Sequence, residues 1–166
     1  MKKLSVLITV CVLLLSTVGC GIYSFTGIST NAKSFQVNFF QNVAPIIEPG
    51  LDRNFTVALQ DLIVNQTSLE LKNDNAELIY EGEIVEYSVT PMSATASQTA
   101  SQNRLTIGVN VRFTNTLDAE KDFEKKFSFY YDFDADTQVN SIKSAAFDEI
   151  FERITQDIVN ASLADW

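Results

Sequence analysis

The sequence predicts an α+β fold: a two-layer sandwich in which two amphipathic helices cover one face of a four-stranded mixed sheet, in the order β-α-β-β-β-α. Three observations carry this expectation. Apolar and polar residues alternate over four segments, the period of a half-buried strand. In two other segments the apolar residues recur every three to four positions, the period of a helix with one buried stripe. Two helices can cover only one face of such a sheet, and the strands supply a polar set for the other. Composition agrees: 46% hydrophobic and 11% aromatic residues are too apolar for a disordered chain, and 166 residues suit one compact domain.

The N-terminus reads as an address. Lys2 and Lys3 precede an apolar run from Leu4 to Leu15, broken only by Ser5 and Thr9. A basic start and about a dozen apolar residues describe a bacterial secretory signal, whereas a membrane-crossing helix needs about 20. Gly19 directly before Cys20 resembles a lipobox, where the leader is cut and the cysteine is acylated. The other cysteine, Cys11, leaves with the leader, so Cys20 has no disulfide partner. The expected organisation is a signal peptide over 1–19, a lipidated tether over 20–32 and a single α+β domain over 33–166. Several acyl chains anchor stably, since each buried CH₂ contributes about 0.8 kcal/mol.

The domain's elements follow in order. From Ser34 to Phe40, Phe35, Val37 and Phe39 alternate with Ser34, Gln36 and Asn38, so all three apolar side chains are expected on the buried face. Asn42 to Gly50 is a loop, punctuated by Pro45, Pro49 and Gly50. Leu51 to about Asn65 then changes period, with Leu51, Phe55, Ala58, Leu59, Leu62 and Ile63 on one helical face. The next strand, over about 77–90, places Leu78, Tyr80 and Ile84 in one phase and Val85, Tyr87 and Val89 in the other. A β-bulge near Gly82–Val85 would reconcile them. Leu105 to Phe113 alternates most clearly, and Phe123 to Phe133 follows after a short turn. Gln138 to Leu163 forms a long helix with a stripe of Ile142, Ala146, Ile150, Ile154, Ile158 and Ala161, flanked by Phe147 and Phe151.

Charge and residue types exclude several functions. The chain carries −9, and −11 once Lys2 and Lys3 are removed. That argues against nucleic acid, which is read by a basic face, and against adhesion to anionic lipid headgroups. No histidine exists, which removes imidazole catalysis and the commonest zinc ligand. Glu81, Glu83 and Glu86 could be paired carboxylates for acid–base work, but a run of this kind on a strand suits a solvated edge. Asp132, Asp134 and Asp136 mimic the opening of a calcium loop. Thr137 stands where that loop needs glycine and Lys143 where it needs glutamate, so Asp134 and Asp136 are better placed at the start of the last helix. No catalytic residues, metal site or cofactor are therefore assigned.

Two binding candidates remain. Arg104 and Arg112 share the polar phase of one strand, and Lys126 lies on its neighbour. They could receive phosphate, or they could pair across strands with Asp122, Glu124 or Asp132. The segment from Pro91 to Gln102, including Met92, Ser97 and Gln98, is long for a hairpin connection. It is a candidate for insertion into a partner.

Several segments together resemble the lipopolysaccharide-assembly lipoprotein family LptE, in the form found in Bacteroidetes. They are Cys20 to Gly27, FQVNFFQNVAPIIEP at 35–49, EGEIVEYSVTP at 81–91, NRLTIGVNVRFTNT at 103–116, KDFEKKFSFYYDFD at 121–134 and the closing Asp165-Trp166. The resemblance implies a non-enzymatic outer-membrane lipoprotein facing the periplasm. It implies a role as the plug of a large LptD-type β-barrel, which it supports in delivering lipopolysaccharide to the outer leaflet. Cys20 would then be the membrane anchor, and Arg104, Arg112 and Lys126 the candidates for lipopolysaccharide phosphates. The same features also suit a periplasmic adaptor that regulates another envelope complex.

Overall fold

The computed structural model describes residues 30–92 and 101–164. The signal, Cys20, Ser97, Gln98 and the final two residues lie outside them. The order is β1 (Ser34–Val37), β2 (Gln41–Asn42), α1 (Leu51–Gln66), β3 (Glu70–Leu71), β4 (Leu78–Met92), β5 (Gln102–Asn115), a single 3₁₀ turn at Ala119–Lys121, β6 (Phe123–Asp134) and α2 (Val139–Leu163). The strands lie side by side as β3-β1-β4-β5-β6, with β2 also paired to β4. Contacts of β1 and β2 with β4 are parallel, and β4-β5-β6 is an antiparallel meander. The two-layer α+β class holds, but the sheet has six strands where four were expected. The two additional strands are β2 and β3, each only two residues long. Two residues carry no periodicity, so alternation cannot announce them.

The first strand departs from expectation in an instructive way. Val37 pairs with Tyr80, and Gln41 pairs with Glu83. The chain thus advances four residues where its neighbour advances three. The additional residue breaks the alternation between β1 and β2, so Phe40 is buried and Phe39 is turned out, 59% exposed. Expecting Phe39 in the core was incorrect. Phe40 is pinned from both ends: its N–H donates to Thr56 Oγ1 at 3.1 Å, and its ring meets Phe55 edge-on at 5.2 Å. Gly82 makes room for it. A Cβ there would stand 2.8 Å from Phe40 Cε1 and 2.0 Å from the Asn110 carbonyl oxygen.

The expected bulge in β4 is present. Ile84 pairs with Val109 and Glu86 with Gly108, leaving Val85 as the added residue. The bulge shifts the phase by one, so Leu78, Tyr80 and Ile84 before it and Tyr87 after it all bury on the helical side.

The core lies between this face and the two helices. Gly50, with φ +80°, occupies the residue before α1, a left-handed conformation that glycine adopts without steric cost. From α1, Leu51, Phe55, Leu59 and Ile63 are buried as their spacing foretold, together with Thr56. α2 is about 37 Å long at 1.5 Å per residue. It buries Ala146, Phe147, Ile150, Phe151, Ile154, Ile158, Val159 and Leu163, each larger side chain contributing roughly 1.5–3 kcal/mol. Ala161, assigned to the stripe, is instead exposed, and Ser162 takes the buried position beside it. Ser162 Oγ lies 2.9 Å from the hydroxyl of buried Tyr80, so neither polar group is stranded in the core. Asp134 and Asp136 do not open α2. Asp134 ends β6, and the helix begins at Val139 with no acidic residue in its first turn.

Candidate functional site

Both helices lie on one side, so the other face of β4, β5 and β6 is open. Strand parity decides what it shows. β5 turns Arg104, Thr106, Gly108, Asn110 and Arg112 outward while Leu105, Ile107, Val109, Val111 and Phe113 are buried. β6 contributes Glu124, Lys126, Ser128, Tyr130 and Asp132 to the same face, and β4 contributes Glu81, Glu83 and Glu86. The three glutamates do not mark an edge, as was expected of them. β4 is an interior strand, paired on both sides.

The cations of this face are each held by carboxylates, in three rows across the strands. Arg112 stands between Glu81 and Glu124 in register. Its Nη1 donates to Glu81 Oε1 at 2.8 Å and its Nε to Glu124 Oε2 at 3.3 Å. In the middle row Lys126 Nζ donates to Glu86 Oε2 at 2.6 Å, reaching across β5. Gly108 permits that crossing: a Cβ there would lie 2.7 Å from Lys126 Cε and 3.0 Å from Glu86. In the third row Arg104 grips Asp132 with two bonds of 2.7 and 2.8 Å, and its guanidinium stacks 3.5 Å from the centroid of the Tyr130 ring. The paired bonds from Arg104 hold the Asp132 carboxyl below its usual range, and those from Asp132 raise Arg104 in turn. Arg112 is raised chiefly by its bond to Glu81, then by Glu124.

The cations therefore do not converge. Arg104 and Arg112 are eight residues apart on one strand, about 27 Å at 3.4 Å per residue, with Lys126 opposite Asn110 between them. Cross-strand pairing to Asp132 and Glu124 follows the alternative read from the sequence. The partners from β4, Glu81 and Glu86, were not foreseen, because only the register of β4 on β5 brings them near. No three acidic, cysteine or histidine side chains come together as a metal site among the described residues.

The hairpin candidate is shorter than its sequence suggested. Pro91 pairs with Asn103 and Met92 with Gln102, so all three of Pro91, Met92 and Gln102 belong to strands and not to the connection. Alternation is weak there, with small polar residues on both sides, and the ladder continues regardless.

A shallow groove of about 360 Å³ lies at the β2 end of the open face. Phe39, Gln41, Glu83, Asn110 and the Glu81–Arg112 pair line it. No signal in the sequence marked it, because it exists only where the break between β1 and β2 turns Phe39 outward.

The sequence pattern of the lipopolysaccharide-assembly family LptE matches residues 32–162. The chain belongs to the LptE family. Among solved structures, the chain is similar in fold to a minor lipoprotein of Acinetobacter baumannii, at 12% identity and a TM-score of 0.50, covering 78% of this chain and 91% of that one. It is also similar to a hypothetical protein of Chlamydia trachomatis, at 10% identity and a TM-score of 0.57, covering 81% of this chain and 100% of that one. Comparison with curated proteins finds no match. The matched span runs from just before β1 to the last turn of α2, and so includes the open face.

Proposed function

We propose that this protein is an outer-membrane lipoprotein, held by acyl chains on Cys20, that plugs and supports a large LptD-type β-barrel during lipopolysaccharide assembly. The observation that carries the reading is the open face. A wide barrel has a polar, wetted lumen, and a plug within it needs a polar skin over its own core. Here that skin is a 14-residue strand flanked by two others, with each of its cations matched to a carboxylate. Such a face meets a polar wall with its three cations compensated and an excess of carboxylate. The segment from Pro91 to Gln102, whose sequence includes Ser97 and Gln98, is proposed to insert into the partner. The role requires no bond making or breaking.

In this reading Arg104, Arg112 and Lys126 are the candidates for lipopolysaccharide phosphates. A phosphate must displace a carboxylate at each of them, since all three are engaged. The test is a mild detergent pull-down of the tagged lipoprotein from its own membrane, followed by mass spectrometry. A stoichiometric barrel that resists dissociation supports the plug. Recovery of a periplasmic enzyme with no barrel refutes it and favours the adaptor.

A further inference from the structure

We infer that the groove at the β2 end of the open face is a binding site for an uncharged sugar ring, with Phe39 as its stacking platform. The argument starts from a side chain out of place. Strand alternation would bury Phe39, yet the added residue between β1 and β2 buries Phe40 and leaves Phe39 59% exposed. The exposed ring is one wall of a concave site of about 360 Å³, large enough for one or two pyranose rings.

The rest of the lining selects among ligands. Gln41, Glu83 and Asn110 are exposed, and their side chains make no hydrogen bond among the described residues. They offer amide donors and acceptors and a carboxylate that accepts from hydroxyl groups. Charge favours a neutral ligand over an anion in the groove: Glu81, Glu83 and Glu124 line it against Arg112 alone, and Arg112 is already bonded to two of them. A phosphate would have to break those bonds in a field of like charge, whereas a sugar hydroxyl can join them. An apolar ligand is disfavoured too, because one aromatic ring among amides and carboxylates leaves too many polar groups to desolvate. A ring with an apolar C–H face and a polar rim of hydroxyls matches both halves of the lining.

Two envelope sources supply that chemistry, the oligosaccharide of lipopolysaccharide and the glycan strand of the cell wall. The inference goes beyond the plug reading, because it concerns the isolated lipoprotein and needs no barrel. The experiment is saturation-transfer NMR on the full mature lipoprotein in a zwitterionic, sugar-free detergent. The probes are a deacylated, dephosphorylated lipopolysaccharide oligosaccharide, the trimer of N-acetylglucosamine, and trilysine. One sugar is expected to bind with a dissociation constant of roughly 1 mM, and which one binds names the source. Phe39→Ala should weaken it about tenfold while Phe39→Trp retains it, and Asn110→Ala should also weaken it. The exposure of Phe39 and Asn110 keeps these variants folded, which the unchanged melting temperature checks. Absence of sugar binding up to roughly 10 mM overturns the inference, as does sugar binding indifferent to Phe39→Ala. Binding of trilysine alone overturns it in favour of a basic peptide partner.

Discussion

Phe39 and Phe40 are adjacent and chemically identical, so the difference between their alanine variants isolates what the break between β1 and β2 does. Phe40 is fully buried, and such a ring removes about 150–250 Å² from water. At about 25 cal/mol per Å², less what alanine still buries, truncation loses roughly 3 kcal/mol of transfer free energy. Its edge-on contact with Phe55 adds about 1 kcal/mol, and the cavity left against Gly82 cannot collapse without moving two strands. Phe40→Ala is therefore expected to cost about 4 kcal/mol and to lower the melting temperature by on the order of 10 °C. Phe39→Ala, at an exposed position, should stay within about 0.5 kcal/mol of the parent. Urea unfolding of the mature chain carrying Cys20→Ser, followed by circular dichroism, measures both. Equal losses, or the larger loss at Phe39, would show that β1 runs unbroken in the phase its alternation suggests.

Other outcomes rest on different contacts. Gly82→Ala should destabilise far more than Gly108→Ala, by about 3 kcal/mol in the same urea assay. The first added methyl meets a backbone carbonyl at 2.0 Å, whereas the second meets most closely the movable Cε of Lys126, at 2.7 Å, with Glu86 Cβ and Oε2 at 3.0 Å. Tyr80→Phe should cost about 1 kcal/mol by removing the hydroxyl that meets Ser162, and a double-mutant cycle with Ser162→Ala should show the two losses to be non-additive. Stability should fall in alkali. Burial first, then the charge of Glu48, pushes the Tyr87 hydroxyl up to about 12, and burial raises Tyr80 as well. Unfolded tyrosines titrate near 10, so the unfolded chain releases these protons first. The stabilisation is complete below about pH 10 and is lost as pH rises towards 12. Melting temperatures between these limits should fall less steeply in Tyr87→Phe than in the parent.

Much of the fold was legible because its long elements bury one continuous face. Leu51, Phe55, Leu59 and Ile63 repeat at helical spacing with charge opposite them, and helix packing alone decides their fate. The bulge at Val85 was legible for the same reason. Two apolar runs in opposite phase within one strand can share a core only if one residue is added between them. The break at Asn38–Phe40 is the same device, but it hides behind an accident of sequence. With phenylalanine at 39 as well as at 40, alternation continues on paper through Phe39 although the ring that turns inward is that of Phe40. What settles the choice is tertiary: Thr56 of α1 takes the N–H of Phe40, and Gly82 of β4 leaves room for its ring. Ser162 was missed similarly, since a polar residue enters the buried stripe only because Tyr80 waits there to bond it.

The open face shows why a site is harder to read than a core. On β5 and β6 its residues were on the correct phase in the sequence and the face itself was expected, whereas Glu86 of β4 reaches it only through the bulge. Its chemistry depends on register, which places Glu81 beside Arg112 and, through the added Val85, Glu86 within reach of Lys126 across Gly108. Had β4 no bulge, Glu86 would share the parity of Tyr80 and point into the core, and Lys126 would lose its partner. The bulge thus serves both faces at once. It returns Tyr87 to the apolar side, and it completes the ion pairs on the polar one. Deleting Val85 tests that linkage directly. With the added residue gone, Glu86 follows Ile84 directly, so plain alternation keeps Glu86 on the polar face opposite Gly108 and Tyr87 on the apolar one, and the variant should cost less than Tyr87→Ala. A deletion costlier than Tyr87→Ala would mean that Val85 is more than the residue added to restore the phase.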